Sequence, residues 1–196
     1  LFVIPDDLPI ELTPFTFLIG AWRGSGIISY SSSESDPTGI EFTQRLSFMP
    51  VGSRLEFVSN TFDAAGAPLV QERGFWSLAR PASQSDAGPG LLPGSGVPLL
   101  SVREDLELWR NSAGGFDIEA LIIQPSNIAE LYFGQIKGAR IDIATDAVLR
   151  SPNAKDYSAG QRIFGLVEGA LLWAWDMAAM GNPLKSHASA RLTRDE

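Results

Sequence analysis

Glu41-Phe42-Thr43-Gln44-Arg45-Leu46-Ser47-Phe48 is the stretch that decides the fold. Phe42, Leu46 and Phe48 fall on one side of an extended chain, with Glu41, Thr43, Arg45 and Ser47 on the other. This period of two marks a half-buried strand. Working outward, the same alternation predicts strands at 54–62, 69–78, 103–109, 116–123, 128–133, 140–149, 161–167, 171–177 and 187–193, and another from Trp22. The joints are turn-like: Asp63-Ala64-Ala65-Gly66, Asn111-Ser112-Ala113-Gly114-Gly115, Gln124-Pro125-Ser126-Asn127 and Glu168-Gly169. Short strands on tight turns, with no helices between them, predict an all-β antiparallel up-and-down meander, and closing it into a barrel removes its edges.

One helix is expected, near the start. Thr13 suits an N-cap and Pro14 the first helical position, Phe15, Leu18 and Ile19 form an apolar stripe, and Gly20 ends it. Such a helix is a natural plug for a barrel end. Two segments read as loops: the Ser-rich 29–39 and the Pro-, Gly- and Ser-rich 81–98. The pieces on either side of 81–98 show the same short strands, and neither alone holds a full core. The chain therefore reads as one domain, 1–196, with a long surface loop at about 81–98.

Composition narrows the function. The 196 residues carry 15 Lys+Arg against 23 Asp+Glu, a net charge of −8, with no Cys and one His. Disulfide frameworks, zinc knuckles, iron–sulfur clusters and thiol catalysis are excluded, since each needs sulfur or several imidazoles. The acidic balance argues against nucleic acid, which needs a positive stripe. The longest apolar run, 170–180, is too short to span a bilayer and contains Asp176. The opening Leu1-Phe2-Val3-Ile4-Pro5-Asp6-Asp7 has no basic region of the kind a signal peptide carries, so a cytoplasmic protein with no membrane partner is expected.

After the expected helix comes Gly20-Ala21-Trp22-Arg23-Gly24-Ser25-Gly26. On a strand Trp22, Gly24 and Gly26 share a face, which suits a barrel corner. It lacks the third glycine of a dinucleotide loop and runs into a strand, so it is no phosphate cradle. The segment resembles the GxWxGxG signature of the nitrobindin family. Gln71-Glu72-Arg73-Gly74-Phe75-Trp76, the hairpin at 118–134 and the final strand at 183–194 are similar to further blocks of that family, in its order. The resemblance runs from Leu12 to Arg194 and leaves out 81–98.

It implies a fatty-acid-binding-protein-like barrel of about ten strands holding a b-type heme (heme b), with His187 as the axial ligand of the iron. It further implies binding of nitric oxide and isomerisation of peroxynitrite to nitrate. Gln161 stands roughly where family members carry a Lys near the heme, with Arg162 and Lys185 as substitutes for the lost charge. Arg191 or Arg194 is expected to stack on Trp22 as structural support, and the strand period puts His187, Ser189 and Arg191 on one face. Ser186 and Ala188 flank His187 where the family pattern suggests Pro and Leu.

A lone His is poor material for most metal sites but enough for a porphyrin, which brings four ligands of its own. A homodimer is left open. The competing function is a non-catalytic carrier of a fatty acid or similar ligand, whose mark is a buried Arg or Tyr pair facing the ligand carboxylate. No GxSxG elbow points to a hydrolase.

Overall fold

The computed structural model describes residues 7–30, 38–80, 88–90, 92 and 100–195. Ten strands make one closed antiparallel barrel: β1 (Gly20–Tyr30), β2 (Thr38–Val51), β3 (Arg54–Phe62), β4 (Pro68–Leu78), β5 (Phe116–Gln124), β6 (Ile128–Lys137), β7 (Arg140–Arg150), β8 (Tyr157–Val167), β9 (Ala170–Ala179) and β10 (Lys185–Arg194). Each strand pairs with its sequence neighbours, and β1 closes on β10 from Trp22↔Arg194 to Ile28↔Ala188. The stretch quoted first lies in β2. Phe42, Leu46 and Phe48 are buried there, joined by Gln44, whose amide is satisfied by Ser59 Oγ at 2.9 Å and Trp173 Nε1 at 2.8 Å. The segments 29–39 and 81–98 lie largely outside the described residues.

Two expected elements differ. The first helix is a 3-10 turn at Ile10–Phe15, starting after Pro9 and not at Thr13. Leu12, Phe15 and Leu18 recur every three residues and all are buried, which suits the 3-10 period. The expected strand at 103–109 is a second 3-10 helix, Arg103–Trp109. Asp105 turns back to accept the backbone N–H groups of Ser101 and Val102, at 2.7 and 3.0 Å. Only Leu106 is buried, while Leu108 is 83% exposed, so the apparent alternation serves no sheet face.

The first 3-10 turn closes one end of the barrel. Trp22 Nε1 donates to the Leu18 carbonyl at 2.7 Å, and the Arg194 guanidinium donates to those of Ile19 and Phe17 at 2.7 and 3.1 Å. Arg194 lies 4.4 Å from the Trp22 ring centroid, so the expected cation–π pair is Arg194 on Trp22. Arg191 is exposed on the outer wall. Gly24 and Gly26 are required by close approach: a Cβ on either would stand 2.2 Å from the backbone oxygen of Arg191 or Ser189 on β10. Above the plug, Phe48, Phe57, Trp76 and Phe164 pack edge and face, with centroids 5.2–6.4 Å apart.

Candidate functional site

The other end of the barrel is open and holds a cavity of about 690 Å³. Its wall includes Ile128, Tyr157, Trp175, Met177 and His187, with Lys155 and Lys185 also on the lining. Bulges bring two of these side chains in. On β10 the register jumps between Ser186↔Asp176 and Ala188↔Trp175, leaving His187 as the extra residue, turned toward the cavity. The simple parity of 187, 189 and 191 therefore fails: Ser189 and Arg191 face out, while Ala188, Ala190 and Leu192 face in. On β8 a second bulge between Tyr157 and Ala159 turns Tyr157 inward with Gly160, Arg162 and Phe164.

His187 stands against Trp175 with ring centroids 5.1 Å apart and planes at 89°. Burial lowers its pKa below the ordinary value, and the charges of Arg162 and Lys155 lower it further. A hydrogen bond to the Ser29 backbone opposes them in part. The net shift favours the neutral imidazole. That is the form in which an imidazole gives a ring nitrogen to a metal.

Gln161, expected beside the cofactor, is exposed on the outside of β8 between Ala144 and Asp176. Its neighbour takes the interior. Arg162 is 2% exposed and spans the barrel to Glu72 on β4, with Nη2–Oε1 at 2.6 Å and Nη1–Oε2 at 3.1 Å. Nη2 also reaches Glu130 Oε2 at 3.3 Å, and Nε donates to the Tyr132 hydroxyl at 2.9 Å. Tyr132 and Tyr157 both donate to Glu130 Oε1, and Gln124 donates to Oε2 at 3.1 Å. Burial alone would oppose the charge on Arg162, but Glu72, with Tyr132 and Glu130, more than restores it. The guanidinium lies 4.0 Å from the Trp175 ring centroid, so Trp175 is held between Arg162 and His187.

Of this cluster the sequence suggested a site role only for Arg162. The signal was present in the parity: Glu72 alternates with Gly74 and Trp76, Glu130 with Ile128 and Tyr132, and Arg162 with Phe164, each a charge on an apolar face.

An iron porphyrin suits this cavity. The volume falls in the range of roughly 300–1,000 Å³ typical of sites for small molecules and cofactors. The donor set is one neutral imidazole on an apolar, aromatic wall, which is what a five-coordinate heme takes from its protein. Lys155 and Lys185 offer positive charge to propionates.

Comparison with known proteins points the same way. Residues 11–194 match the family model described as "THAP4-like, heme-binding beta-barrel domain". A peroxynitrite isomerase of Leifsonia xyli subsp. xyli is 47% identical over 98% of both chains. One of Kocuria rhizophila is 49% identical over 98% of this chain and 95% of its own. Among solved structures, Rv2717c from M. tuberculosis superposes with a TM-score of 0.71 at 24% identity, covering 97% of this chain and all of that one, a likeness of fold.

Proposed function

The chain belongs to the family of THAP4-like, heme-binding beta-barrel domains, and on that premise we propose that it binds heme b through His187 and isomerises peroxynitrite to nitrate. The observation that carries the proposal is the single His of the chain, extruded by a bulge into the cavity beside Trp175.

When bound, a heme would supply Lewis-acid chemistry in the cavity. His187 would hold the group, with its ring packed edge-on against Trp175. Lys155 and Lys185 attract the propionates and the anionic substrate. Ile128, Trp175 and Met177 would give the group an apolar wall. Peroxynitrite and nitrate have the same atoms and the same charge, so no side chain is asked to add or remove a proton. The same cavity would admit nitric oxide. The proposal takes the chain as one cytoplasmic barrel domain; among its described residues no helix is long and apolar enough to cross a membrane. Pairing into a homodimer would draw on the outer face, where Phe75, Leu121 and Phe133 are 44–46% exposed.

The carrier reading is disfavoured by Arg162. A buried Arg and Tyr pair is present, but the carboxylates it faces are the chain's own Glu72 and Glu130, which occupy the place of a ligand's head group. Titration with hemin tests the proposal. A Soret shift is expected for the wild type and its loss for His187→Ala; an unshifted wild type, or an unchanged variant, would sink the assignment. Fluorescent fatty acids are expected to bind weakly to delipidated protein.

A further inference from the structure

Tyr157 is on the cavity wall with a path for an electron and another for a proton. Its ring packs edge-on against Trp175 at 6.2 Å, and Trp175 against His187 at 5.1 Å, so aromatic contacts run unbroken from the candidate iron ligand to the phenol. Its hydroxyl donates to Glu130 Oε1 at 2.5 Å. Glu130 also accepts from Tyr132, Gln124 and Arg162, so four donors fill two oxygens, the pattern of an ionised carboxylate. One guanidinium thus faces two carboxylates, and the buried cluster carries one negative charge in excess.

We propose that Tyr157 is a one-electron donor to radicals arising in the cavity, with Glu130 taking its proton, and that its ring is the chain's nitration site. The proposal rests on the peroxynitrite reading for its oxidant: nitrogen dioxide, released together with a hydroxyl radical when the O–O bond of protonated peroxynitrite breaks homolytically. In the first step an electron passes from the phenol to nitrogen dioxide, giving nitrite, while the O–H bond breaks and its proton moves to Glu130 Oε1. In the second, another nitrogen dioxide forms a C–N bond at the ring carbon beside the phenoxyl. That carbon then loses its proton to solvent, and the proton on Glu130 returns to the phenol oxygen.

Electrostatics favours the first step. With its proton on Glu130, the cluster becomes one guanidinium and one carboxylate, and the excess charge leaves the low-dielectric interior with nitrite. Tyr132 is the poorer donor: it takes no part in the cavity lining, and it accepts an N–H from Arg162, which withdraws electron density from the phenol.

The test is residue-level mapping of nitrotyrosine by peptide mass spectrometry on the heme-loaded chain after peroxynitrite. The heme-free chain, given nitrogen dioxide generated by radiolysis, is the parallel arm. Nitration is expected at Tyr157 several-fold above Tyr30 and Tyr132 in both arms. In Glu130→Gln, which keeps an acceptor but loses the base, it is expected to fall several-fold. In deuterated solvent the wild type is expected to give a smaller yield of Tyr157 radical by freeze-quench electron paramagnetic resonance, a readout independent of any variant's folding. Preferential nitration of Tyr30 or Tyr132 would overturn the proposal. An unchanged yield at Tyr157 both in the variant and in deuterated solvent would overturn the role of Glu130. If hemin does not bind, the heme function fails while the heme-free arm still decides the chemistry of Tyr157.

Discussion

Glu130 accepts four hydrogen bonds in the middle of the barrel, and among the described residues Arg162 is the only guanidinium on it. Removing that charge leaves two buried carboxylates without a counter-ion. Arg162→Ala is therefore expected to destabilise the fold by about 3–5 kcal/mol in urea denaturation, as breaking a buried pair typically does. Tyr132 and Tyr157 carry a pH dependence of definite sign. Burial first, joined by the charge on Glu130, raises both phenol pKa values above the ordinary one near 10, with Arg162 opposing part of the effect at Tyr132. A raised pKa means that the fold holds protons the unfolded chain releases. The stabilisation is complete below about pH 10 and is lost as pH rises toward the folded values. Unfolding free energy is expected to fall with pH above 10, with two of the three tyrosines absent from the phenolate absorbance until the chain unfolds. These residues were legible as charges on apolar faces. Their partners were not, because Arg162 and Glu72 are 90 positions apart and meet only across a closed barrel.

Strand period located the barrel because each inward residue meets a packed interior, and Phe42, Leu46 and Phe48 could not be turned out without exposing the core. Period fails where a bulge adds a residue, and bulges at the open end place both His187 and Tyr157. His187 was a candidate by its rarity and its motif, and it does turn to the cavity, while Ser189 and Arg191, expected on the same face, turn out. Gln161 was placed at the cofactor without regard to the wall: its neighbours Gly160 and Arg162 point in, so it points out. Deleting Ser186 is expected to remove the bulge and put His187 opposite Asp176, on the outer face. Circular dichroism should then report an intact sheet, while hemin titration shows the Soret shift lost. A barrel that unfolds on this deletion would mean that the bulge supports the fold as well as the site.

For the whole molecule the charge of −8 repels an anionic substrate, and the positive charge at the open end is local. Lys155 and Lys185 line the cavity there. Reversing both, Lys155→Glu with Lys185→Glu, is expected to slow peroxynitrite consumption at low salt in stopped flow. Added salt should then restore part of the rate, since screening sets in over roughly 10 Å at 0.1 M.

The seam between β7 and β8 runs only from Arg140↔Gly165 to Ala144↔Gln161. Beyond it, toward the mouth, β7 keeps its ladder with β6 and β8 its ladder with β9. The closures there use side chains: Thr145 Oγ1 accepts the Gly160 N–H at 2.9 Å, and Arg150 holds Asp156 at 3.0 Å. The wall is a zip left partly undone and fastened by two buttons. Parting those side-chain contacts would break no backbone pair of the sheet, because β7 stays laddered to β6 and β8 to β9.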